Sequence, residues 1–477
     1  MRHALITTDR LILALGLGMR LIGLGHGSLW HDEAFTGLVA PLPWPRFWEA
    51  LIGDVHPPLW YLIERVVVAA LGNTAPALRL PAALCSCAAL FLFWRLLYNR
   101  DYEYGLPAAA RLAALALFAI SPFQIYFAQE ARMYAGLTMA AVLMLVGVLD
   151  YRPWPFALGA VLAVWLHNLG AVYVLVGVIA LIAQQVRRAE DLVLLALDWG
   201  SAGIAAFVLA LPALAWSVWQ ATVVSQSYWI LDHSVGAWLY NSAFCMFFGQ
   251  GVIDSRLSWV GAIIGLVLFF GGLVEAVRSR RYDLAVLASG PGLLMLLLSN
   301  LVRPLLLART LIGATPALSL MAGGLFTTRR RQYALALAMT PVLLSGLRNH
   351  YILERRGNVA GLVDAIRAEQ PTAVVHSQTG AWIVVGWHCP EQRHLLWTGA
   401  ARGLGNAVSD RTADALGMER VPLAELERPV AVVYADYALV SPEERATLLT
   451  ELEEIGAVLV AELADDEVQK VDLWMIR

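Results

Sequence analysis

The chain has 477 residues, of which 59% are hydrophobic and 15% charged, and its mean hydropathy is +0.63. A soluble domain carries roughly 25% charged residues, so this composition excludes an ordinary water-soluble protein. The net charge of -3 leaves no basic face that neutralises a run of phosphates, which excludes a nucleic-acid partner. The four cysteines form no CxxC pair and predict neither a disulfide framework nor a metal site.

Apolar stretches of about 17 to 25 residues recur between short turns that carry arginine. Such stretches predict membrane-spanning helices, because in lipid a helix satisfies its own backbone hydrogen bonds. We expect about eleven spans, the first of them uncleaved, in a mainly α, polytopic helical bundle. The predicted spans are residues 10–27, 78–97, 107–125, 133–149, 155–167, 169–185, 199–217, 258–277, 283–300, 307–326 and 332–347.

The arginine clusters predict the orientation, since short loops rich in Lys and Arg stay cytoplasmic. These clusters lie near Arg95, Arg152, Arg187, Arg278 and Arg329. With all of them in the cytoplasm, an odd number of crossings places the C-terminus outside. The chain is therefore expected to be a multi-pass protein of the cell (inner) membrane.

The apolar segment 56–71 is the one stretch that conflicts with this scheme. It is short, it opens with His-Pro-Pro, and it carries Glu64 and Arg65 at its middle. As a span it would place two charges at mid-membrane. It would also move the arginine-rich loop that follows to the outer side of the membrane, against the preference of such loops for the cytoplasm. We therefore predict a helix at the membrane interface, within a long first outer loop over residues 28–76.

The last roughly 125 residues change character, because charged residues appear regularly and short β-branched runs alternate with helical stretches. We predict a membrane domain over residues 1–350 and a small extracytoplasmic α/β domain over residues 351–477. Strands are expected at 373–376, 431–435 and 457–463, and charged helices at the LAELE and SPEERATLLTELEEIG segments.

Two adjacent carboxylates, Asp32 and Glu33, follow the first apolar stretch. One interpretation is an ordinary solvated loop in which Ser28 or Asp32 caps a helix. The other is a general base held at the level of the lipid headgroups. A second motif in the same loop is His56-Pro57-Pro58, with Asp54 two residues earlier.

The prolines after His56 delay the start of the next helix, so the imidazole is expected at the N-terminal mouth of that helix. Such a position favours phosphate, although a histidine that merely caps the helix or stacks on Trp60 is the alternative.

A third cluster, residues 126–134, lies at the outer junction of the third and fourth predicted spans. On a helix, Glu130 and Tyr134 share one face and Arg132 points elsewhere. A tyrosine belt with a snorkelling arginine is the alternative.

The fourth cluster is Arg303 and Arg309, at the outer start of the tenth predicted span. Two arginines here run against the cytoplasmic preference, so a bound anion is an attractive explanation.

The predicted topology places all four clusters on one membrane face. That side of the membrane has no supply of nucleotide sugars or ATP, so a transferase there needs a donor that crosses on a lipid. A polyprenyl phosphate fits, because its tail dissolves between helices while its phosphate stays at headgroup depth. The departing phosphate is already an anion and needs fixed positive charge, a task suited to arginine.

These motifs resemble those of the GT-C glycosyltransferases of the protein O-mannosyltransferase and lipid A aminoarabinose transferase type, a bacterial family 39-like group. The resemblance rests on Asp32-Glu33 after the first span, on His56-Pro57-Pro58, and on the Gln129–Tyr134 segment QEARMY. It covers roughly residues 1–350. Arg309 stands where the family usually has Arg-Tyr, but Thr310 replaces the tyrosine.

The resemblance implies transfer of a sugar from a polyprenyl-phosphate donor, with inversion, to a hydroxyl of a glycolipid, polysaccharide or protein. Asp32 would be the general base, and Glu33 and Glu130 would position the acceptor or the sugar. The donor phosphate would be held by His56, Arg132, Tyr134 and Arg309. No bound metal or other cofactor is implied. A lipid or solute transporter, or flippase, is the rival in another class, and it predicts ionisable residues near the midplane.

Overall fold

A computed structural model of the chain describes residues 2–98, 106–188, 192–223, 234–249, 255–302, 304–353, 359–400, 408–436, 442–466 and 469–477. The chain divides into two compact units. Unit 1 comprises residues 1–24, 79–217 and 230–353, and unit 2 comprises residues 25–78, 218–229 and 354–477. Most of the predicted first outer loop is thus grouped with the C-terminal residues, a grouping that the sequence did not predict.

Helices make up almost all of the described chain up to residue 353. In chain order they are α1 (Arg2–Leu21), α2 (His31–Val39), α3 (Trp44–Ile52), α4 (Leu59–Leu71), α5 (Ala75–Tyr98), α6 (Ala108–Ala119), α7 (Pro122–Ala128), α8 (Tyr134–Leu149), α9 (Pro153–Leu166), α10 (Gly170–Arg188), α11 (Leu192–Val223), α12 (Val235–Leu239), α13 (Met246–Phe248), α14 (Ser255–Arg278), α15 (Tyr282–Leu301), α16 (Thr315–Gly323) and α17 (Arg329–Arg348). Irregular helical turns occupy Tyr240–Cys245, Ala308–Ala314 and Asn349–Leu353.

A helix lies at or near each of the predicted spans, and the mainly helical architecture is confirmed. Four helical stretches among the described residues are long and apolar enough to cross a membrane: α5, Trp199–Thr222 within α11, Arg256–Arg278 within α14, and α15. The pair α6 and α7 is a fifth candidate, bent by 45°. The chain is a multi-pass membrane protein, and the number of about eleven spans stays a prediction.

The C-terminal part of unit 2 is built on one mixed sheet. Its strands are β1 (Ala373–His376), β2 (His394–Trp397), β3 (Arg420–Val421), β4 (Val430–Asp436), β5 (Val458–Asp466) and β6 (Gln469–Ile476). The strand order is β3-β2-β1-β4-β6-β5, in which β1 to β4 are parallel and β6 runs antiparallel to both β4 and β5. The helices beside it are α18 (Val359–Glu369), α19 (Thr379–His388), α20 (Asp410–Leu416) and α21 (Pro442–Glu454).

The three predicted strands coincide with β1, β4 and β5, while β2, β3 and β6 were not predicted. The predicted SPEERATLLTELEEIG helix is confirmed as α21. The predicted LAELE helix was wrong, because the structure contains only a 3-10 turn at Leu423–Glu425. Pro429 has no backbone N–H to donate and disfavours helical geometry at Arg428, so a helix does not continue through this segment.

Successive side chains along each strand point to opposite faces of the sheet, and both faces are buried. On one face, Val374, Ala431 and Leu473 pack with residues of α18 and α19. On the opposite face, Val375 and Val432 pack with leucines of α21. Parallel strands covered on both faces are typical of an α/β arrangement, and this explains why β1 and β4 are almost wholly apolar.

Two histidines form a hydrogen-bonded chain inside this part of unit 2. His376 is fully buried, and its Nε2 lies 2.9 Å from Nδ1 of His394. Nε2 of His394 lies 2.7 Å from the Cys389 carbonyl oxygen. A carbonyl only accepts, so His394 carries its proton at Nε2, and its Nδ1 accepts from the Nε2–H of His376. This pattern suits two neutral rings, which burial favours over charged ones.

Burial lowers the pKa of both His376 and His394 from the ordinary histidine value. An unfolded chain takes up protons at these rings below about pH 6.5, whereas the folded chain does not. The folded sheet should therefore lose about 1–2 kcal/mol of stability between pH 7 and pH 5.5. Hydrogen exchange of the β1 and β2 amides, corrected for intrinsic rates, measures this loss.

The control for this prediction is His376→Gln, which keeps a side-chain N–H donor but does not titrate. It should remove about half of the pH dependence. Equal pH dependence in the variant and in the unchanged chain would contradict the assignment of neutral rings.

Candidate functional site

The predicted acid pair lies in the first turn of α2, in unit 2. The residue before the helix is Trp30, so neither Ser28 nor Asp32 is its N-cap, as the solvated-loop alternative would have it, and Asp32 is already the second helical residue. Carboxylates in a first turn are favoured by the helix dipole and need no capping role there. The Asp32 side chain is 21% exposed and its Oδ1 lies 3.2 Å from Nδ1 of His31. Glu33 is fully buried.

The His56 loop is fixed by a buried side chain that the sequence analysis missed. Nε2 of Gln220 lies 3.2, 2.9 and 3.0 Å from the carbonyl oxygens of Leu51, Asp54 and His56. His56 is half-buried, and α4 begins only after two buried prolines. The signal for Gln220 was a single amide near the end of a long apolar helix, where an unsatisfied polar group is costly.

The helix α4 connects this loop to the acid-bearing helix α2. Tyr61 donates a hydrogen bond of 2.7 Å to Oδ2 of Asp54, and its ring makes an edge contact with Phe35 of α2. Arg65 donates to the carbonyl of Ala40 at 3.0 Å, just beyond the end of α2, and stacks on the Trp44 ring. In unit 2 the structure thus holds the Asp32 helix and the His56 loop in one packed arrangement.

In unit 1, residues 129–133 form a tight connection between α7 and α8. The predicted helical alignment of Glu130 with Tyr134 was wrong, because the helix begins only at Tyr134. The backbone N–H of Arg132 bonds to the Glu130 carbonyl at 2.6 Å, which folds the chain away from helical geometry. Glu130 is fully buried, and Arg132 is 3% exposed.

The Gln129 side chain anchors the point at which α7 ends. Its amide nitrogen lies 2.8 Å from the carbonyl oxygens of both Met19 and Ile22, at the end of α1. Its Oε1 lies 3.2 Å from Nε2 of His350, and Tyr351 also bonds to Met19. These contacts fix the start of the segment that carries Glu130.

A buried arginine supports the preceding bend. Pro122 begins α7 after the Ser121 cap, which leaves the last carbonyls of α6 without partners within the helix. Arg20 donates to the carbonyl oxygens of Phe118 at 3.1 Å and Ala119 at 2.7 Å. It also bonds to Ser86 Oγ at 2.9 Å. Arg20 was not among the predicted site residues, although an arginine at the end of the first apolar stretch was a visible signal.

Four of the polar groups of unit 1 form one cluster. The Tyr134 ring lies 5.9 Å from the Arg309 guanidinium carbon and 6.0 Å from the His167 ring. The charges of Arg132 and Arg309 both act on His167. Nδ1 of His167 accepts from the Leu169 N–H at 3.0 Å, so a neutral ring carries its proton at Nε2. His167 is the residue at which α9 ends, at the turn between the fifth and sixth predicted spans.

Thr310, the residue that replaces the family's tyrosine, has a structural role of its own. Its hydroxyl lies 2.8 Å from the Leu307 carbonyl oxygen, and its own carbonyl accepts from Tyr173 at 2.6 Å. Gly313 allows the Tyr173 ring to approach, since a Cβ there would lie 2.7 Å from it. The turn that presents Arg309 is therefore fixed without the family's tyrosine.

The predicted residues thus fall into two sets. Glu130, Arg132, Tyr134 and Arg309 belong to unit 1, while Asp32, Glu33 and His56 belong to unit 2. Their meeting in a common pocket stays a prediction. Arg303 lies outside the described residues. Within the described ranges, no group of three or more His, Cys, Asp or Glu side chains is placed to hold a metal ion.

The fold is similar to that of a solved membrane protein, ArnT, and the resemblance indicated by the motifs is confirmed at the level of the fold. ArnT from Cupriavidus metallidurans in the apo state is similar with a TM-score of 0.64 and 13% identity, over 97% of this chain and 97% of that chain. ArnT from the same organism bound to undecaprenyl phosphate gives a TM-score of 0.59 and 15% identity, again over 97% of both chains. No family model and no curated protein matches the sequence.

Because Arg20 bonds to the carbonyls at the α6–α7 bend, we expect its substitution to lower the free energy of unfolding. Arg20→Met leaves the Phe118 and Ala119 carbonyls without this donor in apolar surroundings, so it should lower the free energy of unfolding by about 2–5 kcal/mol. Ser86→Ala removes one weaker bond and should cost about 1 kcal/mol. Unfolding of the purified chain in detergent micelles measures both. Equal losses in the two variants would contradict the role assigned to Arg20.

Proposed function

We propose that the chain is an inverting glycosyltransferase that moves a sugar from a polyprenyl-phosphate donor to an acceptor hydroxyl on the extracytoplasmic face of the membrane. The observation that carries the proposal is the cluster of Arg132, Tyr134, His167 and Arg309 beside the buried Glu130 segment. It occurs in a fold similar to that of ArnT, which has been solved bound to undecaprenyl phosphate.

The cationic side of the cluster suits a phosphate that leaves as an anion. Arg309 is half-buried and Arg132 is buried, so both keep a fixed position while the surroundings stay poor in water. Guanidinium groups remain charged and present paired donors to phosphate oxygens. A fixed positive charge of this kind stabilises charge that develops on the departing oxygen without a proton transfer.

An apolar cavity of about 560 Å³ between α9, α10 and α11 supports a lipid-linked donor. Its lining includes Val164 and Ala171, which flank the turn that carries His167. A prenyl chain in this cavity has its apolar surface removed from water while its phosphate reaches toward the cationic cluster.

The acids would act on the other reactant. Asp32 is partly exposed and accepts the proton of the acceptor hydroxyl as that oxygen attacks the anomeric carbon. The bond from the anomeric carbon to the phosphate oxygen breaks, and the polyprenyl phosphate leaves with the electron pair. Attack opposite the leaving group inverts the anomeric carbon. Glu33 and Glu130 would position acceptor and sugar, and His56 would assist at the phosphate.

The proposal includes the predicted topology: about eleven spans and an extracytoplasmic C-terminal domain in the inner membrane. Transport of a lipid is the second candidate, because the apolar cavity would also accommodate a lipid in transit. A transporter moves the donor unchanged, whereas a transferase releases free polyprenyl phosphate. Product analysis with a radiolabelled polyprenyl-phosphate sugar in vesicles separates the two.

Asp32→Asn keeps the size of the side chain and one acceptor oxygen, but it replaces the basic carboxylate with a neutral amide. Loss of general-base catalysis should lower kcat by about 10²- to 10⁴-fold with little change in donor KM. Asp414→Asn, the same substitution at an exposed position of α20, should leave the rate unchanged. Sugar transfer from the radiolabelled donor measures both variants. Undiminished transfer by Asp32→Asn would remove Asp32 from the mechanism.

Arg309→Gln removes a positive charge from the proposed phosphate site. The loss of one charge-stabilising donor should lower kcat/KM for the donor by about 10²- to 10³-fold, and Arg309→Lys should recover part of it. The same assay, with donor concentration varied, gives the values. Arg330→Gln, at an exposed position of α17, serves as the control. A loss in Arg330→Gln as large as that in Arg309→Gln would contradict the assignment.

A further inference from the structure

The helix α2, which carries Asp32 and Glu33, is short. It spans nine residues, His31–Val39. A helix of this length does not hold its shape or direction by its own hydrogen bonds, because helices below about 12 residues are marginal in isolation. Its position must therefore come from the groups packed against it, and within unit 2 these include the end of α19.

The beginning of α2 is held by His388, the last residue of α19. Nε2 of His388 lies 3.1 Å from both the N–H nitrogen and the carbonyl oxygen of Leu29. Leu29 is fully buried and stands three residues before Asp32. The imidazole accepts from the N–H or donates to the carbonyl, according to its tautomer, and in either case it fixes the backbone that leads into the helix.

The other end of α2 is held by Trp387 through Asn73. Nε1 of Trp387 donates to Oδ1 of Asn73 at 3.2 Å, and Nδ2 of Asn73 donates to the Gly37 carbonyl at 2.8 Å. The indole also packs directly on Gly37, where an added Cβ would lie 2.4 Å from Nε1 of Trp387. Only glycine permits this approach.

The predicted first outer loop, residues 28–76, also contacts α20 through its helix α3. Thr412 donates to the Ala50 carbonyl at 3.0 Å, and Arg46 donates to the Ala415 carbonyl at 2.7 Å. Glu49 pairs with Arg411, whose guanidinium lowers the pKa of the Glu49 carboxyl. The predicted first outer loop, which carries Asp32 and Glu33, is therefore bonded to two helices beside the sheet, α19 and α20.

From these contacts we infer that His388 and Trp387 are positioning residues for the acid-bearing helix, so that the C-terminal domain sets the placement of Asp32 for reaction. The inference rests on the proposed function. A base displaced by less than 1 Å loses much of its effect, so contacts that touch no substrate still control the rate. Such contacts act on kcat, because they do not bind the donor.

The test compares two matched substitutions on α19. Trp387→Phe removes the N–H that reaches Asn73 and keeps an aromatic ring. Trp382→Phe makes the same change at a buried position of the same helix, where Nε1 has no hydrogen-bond partner among the described residues. His388→Ala and His388→Gln form a second pair, in which glutamine retains a side-chain amide able to bond to Leu29.

Two readouts are measured on the full chain in micelles or vesicles. The first is hydrogen exchange of the α2 amides, which should rise about 5- to 10-fold in Trp387→Phe and His388→Ala. The second is sugar transfer, in which kcat should fall about 5- to 10-fold while donor KM stays within about twofold. Trp382→Phe should change neither, and His388→Gln should recover part of both.

Exchange that is unchanged in Trp387→Phe, or equal effects in Trp382→Phe, would overturn the inference. Increased exchange with unaltered kcat would overturn it too, since α2 would then be held without any effect on the reaction. If the unchanged chain transfers no sugar, the proposed function fails and the positioning role falls with it. Exchange of α2 then still shows whether the contacts hold the helix, so the two failures are distinguishable.

Discussion

A charged or polar group in apolar surroundings must find its partners within the protein, and this constraint organises the whole of unit 1. The clearest case is Arg20, whose guanidinium meets the carbonyls left at the α6–α7 bend. Because Pro122 breaks the helix there, the backbone turns and the QEARM segment leaves α7 at a fixed place. Gln129 then ties that segment to the end of α1. Glu130 and Arg132 are buried side chains on a backbone whose path these bonds determine.

In unit 2, the elements that carry the candidate residues are held by side chains from other parts of the same unit. Its acid-bearing helix is short and its His56 loop is irregular, so both depend on side chains from elsewhere in the unit: Gln220 for the loop, and His388 and Trp387 for the helix. The sheet supplies the rigid body, since both of its faces are covered by helices. Loops that carry chemistry are commonly presented by rigid scaffolds in this way. The proposed mechanism requires that the charged groups of both units are held in position before substrate binds.

Much of the candidate site was predictable because charge is rare in this chain and therefore conspicuous. Arg132 and Arg309 stood out against the apolar background, and the structure places Arg309 beside the Tyr134 ring, which in turn lies beside the His167 ring. The predicted helical alignment of Glu130 with Tyr134 was wrong because hydrophobic periodicity gives no information on tertiary hydrogen bonds, such as those of Gln129 to the Met19 and Ile22 carbonyls. Arg20 and Gln220 were visible as polar residues in apolar stretches, but the sequence alone does not show which distant backbone carbonyls they bond to. The short strand β2 contains two apolar residues flanked by His394 and Trp397, which is too little for periodicity to detect.

The central proposal is that Asp32 and Arg309 serve one sugar transfer outside the cytoplasm, Asp32 at the acceptor hydroxyl and Arg309 at the phosphate of the lipid-linked donor. Its most direct test is thiol labelling of Asp32→Cys and Arg309→Cys in intact vesicles, in a chain whose four native cysteines are replaced by alanine. A membrane-impermeant reagent added on the extracytoplasmic side should modify both positions, and added polyprenyl phosphate should protect Arg309→Cys. Modification of the two positions from opposite sides of the membrane, or no protection of Arg309→Cys by polyprenyl phosphate, would contradict the account.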